Sequence, residues 1–145
     1  MAIQQISVFL ENKPGMLAEM TGVLAKANID MRALSLAETK DFGIARLIVN
    51  DVYEASNILK EGGFVSSLTP VIGVMIPDEP GGLDKVLQVF TAERINIEYM
   101  YAFLGGTSGH AYMLFRVGKD MEKAAEAALS RKGMKLVTQE EITEM

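Results

Sequence analysis

The sequence predicts an α+β chain made of two ferredoxin-like βαββαβ units, each an antiparallel sheet with its helices on one face. Three observations carry that expectation. First, the chain repeats itself: a shift of 66 positions lays Pro14-Gly15 on Pro80-Gly81, and Leu17, Met20 and Leu24 on Leu83, Val86 and Phe90. Ile29 and Met31 then fall on Ile95 and Ile97, and Ala45, Leu47 and Val49 on Ala111, Met113 and Phe115. Second, apolar residues alternate in some segments and recur at helical spacing in others, in the same order in both copies. Third, glycine and proline punctuate the joins at matching places.

The elements follow in order. Residues 4–10 read as a strand with Ile6, Val8 and Leu10 on one face, a pattern that Ile72, Val74 and Ile76 repeat. Pro14-Gly15 breaks the strand, and a helix over 16–27 follows, striped by Leu17, Met20, Leu24 and Ala27. Its counterpart spans 82–93. Strands over 30–37 and 44–50 are matched by strands over 96–103 and 111–117, each pair joined by a loop. The loops 37–43 and 105–109 have the composition of hairpin turns. Extra residues around Val117 to Asp120 lengthen the shift to about 70, which brings Ala55, Leu59 and Gly63 onto Ala125, Leu129 and Gly133. The helix over 52–61 stops at Gly62-Gly63, where glycine supplies a left-handed cap, and its partner stops at Lys132-Gly133. A short strand over 64–68 closes the first unit. Thr69-Pro70 leads straight into the next, dividing the chain into residues 1–69 and 70–145 with no linker.

A lone unit of about 70 residues buries a modest share of its surface, so a shared sheet edge, sheet face or dimer interface is expected. Residues 96–103 are apolar or aromatic on both faces, which calls for something to cover the face away from the helices.

Composition narrows the function. Apolar residues make up 49% of the chain, yet no run approaches the roughly 18 that a membrane helix needs, and the first ten residues show no export leader. With no cysteine there is neither a disulfide framework nor a thiolate metal site, which fits a cytoplasmic protein. A net charge of −5 opposes binding to nucleic acid or an anionic membrane, so neither is expected as a partner. The strand and helix order is shared with RNA-binding modules, but 44–49 and 111–116 lack their pattern of aromatic and basic residues.

An enzyme is not expected either. His110 is the only histidine and opens a strand beside Gly109, where it reads as a half-exposed strand residue. The carboxylate pairs Asp78-Glu79 and Glu140-Glu141 have no histidine at metal spacing, and Gly105-Gly106 has no following lysine to make a phosphate loop. Hence no catalytic residue, metal or cofactor is anticipated.

The most informative segments are the two joins from first strand to first helix, 11–17 and 77–83. Proline fixes the backbone there, glycine admits close approach, and the first helical N–H groups lack intrahelical partners. Free N–H groups at a helix N-terminus favour an anion such as a carboxylate. Asn12 or Asp78, just before the turn, can take a ligand ammonium or instead bond the local backbone.

In these segments the chain resembles the ACT domain family, small amino-acid-binding regulatory modules, and in particular the stand-alone tandem ACT proteins. The resemblance rests on an apolar strand, Asn12 or Asp78 followed by x-Pro-Gly-x-Leu, an apolar helix, and then Asn28-Ile29-Asp30 or Ile95-Asn96-Ile97 opening the second strand. It implies a ligand pocket between domains, where the first loop of one unit faces the start of the second strand of a neighbour. By position the first loop contributes Asn12, Pro14, Gly15, Met16 and Leu17, facing Asn28, Ile29 and Asp30. The second contributes Asp78, Pro80, Gly81, Gly82 and Leu83, facing Ile95, Asn96 and Ile97. Asn12 departs from the family's commoner aspartate and removes a formal charge from an ammonium contact. The Gly81-Gly82 pair either makes room for a guest or loosens the turn. Tyr99, with Tyr101, reads either as a pocket wall with a hydrogen-bonding tip or as a half-buried sheet residue.

The expected function is therefore a sensor for a free amino acid, acting as a homodimer and regulating a metabolic enzyme or transporter rather than catalysing a reaction. The competing reading is a docking protein that uses its apolar sheet face on a metabolic enzyme or transporter.

Overall fold

The structure, a computed structural model, describes residues 2–105 and 109–145. It comprises two compact units. The first contains Gln4–Thr69 and Glu140–Met145, and the second contains Pro70–Gln139 and the N-terminal residues through Ile3. Gly106, Thr107 and Ser108, part of the second expected hairpin turn, lie outside the described residues.

In the first unit β1 (Ile3–Glu11), α1 (Met16–Lys26), β2 (Met31–Glu38), β3 (Phe42–Val49), α2 (Val52–Glu61) and the start of β4 (Val65–Pro77) follow one another. The sheet order is β2-β3-β1-β4, and β3 runs antiparallel to both of its neighbours. The alternation read from residues 4–10 decides which face is covered. Ile6, Val8 and Leu10 are buried with Leu47 and Ala45 from β3, under Met20 and Leu24 of α1 and Ala55 and Leu59 of α2. Each such aliphatic side chain contributes roughly 1.5–3 kcal/mol on burial. The β2–β3 connection is a plain turn in which the Thr39 amide donates to the Phe42 carbonyl at 2.8 Å.

The second unit repeats the plan with the rest of β4, α3 (Gly82–Ala92), β5 (Ile97–Ala102), β6 (His110–Val117), α4 (Glu122–Arg131) and β7 (Lys135–Val137). β4 lies between β6 and β7, and β5 pairs with β6. Ile72, Val74 and Ile76 bury against Val86, Phe90, Phe115 and Leu129, with the Phe90 and Phe115 rings edge to face at 5.2 Å. The extra residues that shifted the repeat form a short helical turn, Lys119–Met121, at the start of α4. On β5, Tyr99 and Tyr101 are half-buried and stack at 6.4 Å.

Three features differ from the sequence reading. The strands expected over 64–68 and around 72–76 are one strand of 13 residues with Pro70 inside it. Pro70 lacks an N–H, but its carbonyl accepts from Arg116 Nη1 at 2.9 Å. The fourth strand of the second unit is only three residues long. Beyond it a helix, α5 (Gln139–Glu144), was not anticipated; its Ile142 is fully buried. Arg32 of β2 secures it, with Nε and Nη2 donating to the Ile142 and Thr143 carbonyls at 3.0 and 3.3 Å and Nη1 paired with Asp30. A cation is favourable at that end of a helix.

The four longer helices stop in the same way. After α1 the Asn28 amide bonds the Ala25 carbonyl and the Ile29 amide bonds the Leu24 carbonyl, and equivalent pairs of bonds follow α2, α3 and α4. This paired arrangement requires a left-handed residue just past the helix. Gly63 and Gly133 fill the position as expected, but Asn28 (φ 58°) and Arg94 (φ 57°) fill the other two. Asparagine tolerates that conformation, whereas an arginine there costs about 1 kcal/mol. Arg94→Gly is therefore expected to stabilise the protein by about 0.5–1 kcal/mol, and Asn28→Ala to destabilise it by a similar amount, as measured by urea denaturation.

Candidate functional site

Both strand-to-helix joins put glycine at the helix start in a left-handed conformation, Gly15 at φ 87° and Gly81 at φ 86°. No side chain caps either helix. The Met16 amide donates to the Lys13 carbonyl at 3.4 Å and the Gly82 amide to the Glu79 carbonyl at 3.1 Å, so the donors left open are the next two amides of each helix, the condition under which a helix N-terminus attracts an anion.

The two joins differ in what their polar residue does. The Asn12 side-chain amide donates to Glu38 Oε2 at 3.0 Å and to the carbonyls of Thr39 and Lys40 at 3.4 Å. Its backbone amide donates to the Asp41 carbonyl at 3.0 Å. Asn12 thus ties the first join to the β2–β3 turn. A cavity of about 70 Å³ sits beside it, lined by Leu10, Asn12, Met16, Leu17, Leu36 and Glu38 among others. Pro14 and Gly15 are exposed and lie outside that lining.

At the second join the Asp78 amide donates to the Gly109 carbonyl at 3.0 Å, repeating the backbone tie. Its exposed carboxylate makes no hydrogen bond or ion pair among the described residues. Pro80 and Gly81 are exposed, while Gly82 is buried and Leu83 half-buried. The Gly81-Gly82 pair has two surroundings: open space beside Gly81 and backbone beside Gly82. A Cβ on Gly82 would lie 2.3 Å from the Pro77 carbonyl oxygen, so the missing side chain lets the turn close tightly on its own backbone.

The second-strand segments have roles of their own. Asn28 caps α1, Ile29 is half-buried, and Asp30 pairs with Arg32 while its amide donates to Asn50 Oδ1 at 3.0 Å. Ile95 belongs to the core at 6% exposure, Asn96 is exposed and Ile97 is half-buried. Within one unit these segments stand at the far end of an 11-residue helix, roughly 16 Å from the join that precedes it. One unit therefore does not bring its own join and second-strand segment together.

Sequence reasoning missed Glu38 and Arg32. Glu38 acts on Asn12 across 26 residues, and nothing local marks that contact. Among the described residues no cluster of His, Asp or Glu suits a metal ion. His110 opens β6 and is exposed. No helix is long and apolar enough to cross a membrane.

The two glycine types separate in a stability test. Gly82→Ala forces backbone to move and is expected to cost about 2–3 kcal/mol, whereas Gly15→Ala has open space and is expected to cost only the left-handed penalty of about 1 kcal/mol, both read from urea denaturation midpoints.

Comparison with known proteins identifies the family and the fold. The chain matches the family described as an ACT domain pair over residues 1–145. Its fold is similar to that of protein BT0572 from Bacteroides thetaiotaomicron, with 39% identity, 100% of this chain and 98% of that chain covered, and a TM-score of 0.91. It is also similar to the ligand-free regulatory subunit of aspartate kinase from Thermus thermophilus, at 20% identity, with 88% and 91% of the two chains covered and a TM-score of 0.63. Aspartate kinase from Synechocystis shares the fold at 25% identity and a TM-score of 0.53, with 93% of this chain covered but 26% of that one. No curated protein matches the chain. The sequence repeat, the two βαββαβ units and the full-length family match agree: the chain belongs to the ACT domain pair family.

Proposed function

We propose that this protein is a cytoplasmic regulatory sensor that binds a free amino acid and has no catalytic activity of its own. The observation that carries the reading is the exposed Asp78 carboxylate, unpaired among the described residues, just before a helix start that no side chain caps. The two groups complement the two charged ends of an amino acid. A ligand carboxylate accepts from the amides of Leu83 and Asp84 in the first turn of α3, and its ammonium pairs with Asp78.

The two ACT domains divide between Thr69 and Pro70, each exchanging a short terminal segment with the other, and the ligand binds at an interface between domains or between the copies of a homodimer. Pro80, Gly81, Gly82 and Leu83 approach it from one side and a second-strand segment from the other, with Tyr99 as part of the wall. The first join, with Asn12, Pro14, Gly15, Met16 and Leu17, is the weaker site, because the Asn12 amide is held by the β2–β3 turn. Binding regulates by favouring one arrangement of the assembly, which requires unequal affinity for two states. The regulatory subunit of aspartate kinase shares this fold, which supports an enzyme as the regulated partner.

A second reading has its own observation. Phe9 and Phe42 are 46% and 58% exposed on the sheet face away from the helices, since Phe9 pairs with Ile44 and Glu11 with Phe42. That apolar surface suits docking on another protein, with or without an amino acid.

The test is the melting temperature of the protein against each of the twenty amino acids. One chemical subset is expected to raise it by mass action, Asp78→Ala to abolish the rise, and Asn12→Ala to leave most of it. A flat panel at millimolar ligand would transfer preference to the docking reading.

A further inference from the structure

We propose that a groove on the first unit, between α2 and the start of β4, binds a small organic anion with an apolar body. The groove encloses about 470 Å³, within the range of ligand clefts. Ser56, Asn57 and Lys60 line it from the helix, and Ser66 and Ser67 from the strand. Ser56 and Lys60 are one helical turn apart and share a face. Phe64, Val65 and Leu68 form an apolar wall, of which Val65 is 67% and Leu68 44% exposed.

Two observations favour an anion. Ser56 Oγ is buried without a hydrogen-bond partner, an unfavourable state that a ligand oxygen relieves. Lys60 forms no ion pair among the described residues, and no acidic side chain lines the groove although the chain carries a net charge of −5. The negative end of the α2 dipole opposes an anion, and the bonding of its last carbonyls lessens that term: those of Ile58, Leu59 and Lys60 accept from Gly62, Phe64 and Gly63.

The second unit shows that the fold does not need this set of side chains. Under the alignment that pairs Ala55 with Ala125, the residues matching Ser56, Asn57 and Lys60 are Glu126, Ala127 and Ser130. Those matching Ser66 and Ser67 are Leu136 and Val137. The same helix-to-strand corner is built there without a cation at the place of Lys60 and without the row of hydroxyls, its own cations falling at the places of Glu61, Gly62 and Val65. The cluster is thus particular to the first unit. In the groove a carboxylate meets Lys60 and Ser56 while the apolar body lies on Phe64, Val65 and Leu68. The inference is independent of the Asp78 join, since the probe below carries no ammonium.

The experiment is an amide-resolved NMR titration of the full chain with 3-phenylpropionate, with its uncharged amide as control. Saturable shifts at Ser56, Asn57, Lys60 and residues 65–68 are expected, weaker by about tenfold for the amide and for Lys60→Gln, and by about threefold for Ser56→Ala. Lys60 is exposed, so its variant is expected to fold, which an unchanged spectrum away from the groove verifies. No saturable shift in these residues at millimolar probe, or equal affinity for acid and amide, overturns the proposal. Equal affinity would mean adsorption to apolar surface only.

Discussion

Burial of one apolar sheet face under two helices is the constraint from which the other features follow. Ile6, Val8 and Leu10 cannot be covered unless the chain reverses immediately after β1 and sends α1 back across the sheet. Pro14-Gly15 makes that reversal, with Gly15 left-handed at the helix start. The reversal leaves the second and third amides of α1 with no side chain to cap them. The same logic applies to Ile72, Val74 and Ile76 and the join before α3. The feature that suits an anionic ligand is therefore a by-product of closing the core.

Duplication gives two copies of that solution, and the copies have diverged where the core does not constrain them. Asn12 is held by the β2–β3 turn, whereas Asp78 leaves its carboxylate exposed. Met16 begins one helix, and Gly82 begins the other because the Pro77 carbonyl leaves no space for a Cβ. Asn28 ends one first helix and Arg94 the other, in the same left-handed geometry. The core partners, by contrast, match in type: Met20 and Leu24 on one side, Val86 and Phe90 on the other. Backbone geometry is shared, and the chemistry at its exposed points is not.

This division explains what was legible. The alternation in β1 and the helical stripe of α1 report burial, a local consequence of sequence period, so the sheet face and its helices could be read in advance. Gly63 and Gly133 announced their caps because glycine favours the left-handed region, while Arg94, which does not, gave no signal. α5 escaped because its six residues carry one buried side chain, Ile142, and its anchor Arg32 lies 110 residues away. In the candidate site the joins were recognisable from Pro-Gly after a strand. The commitment of Asn12 to Glu38 was not, because a contact across 26 residues leaves no mark on local pattern. The closure around Gly82 likewise depends on where the Pro77 carbonyl points, which only the fold determines.

The central claim is that the join before α3 receives an amino acid. Its most direct test is to follow the backbone amide resonances of the full chain as a mixture of the twenty amino acids is added. The account predicts that the amides of Gly81, Gly82 and Leu83 move saturably and more than those of Gly15, Met16 and Leu17. If both joins stay unmoved while the mixture is raised to millimolar concentration, the claim is contradicted.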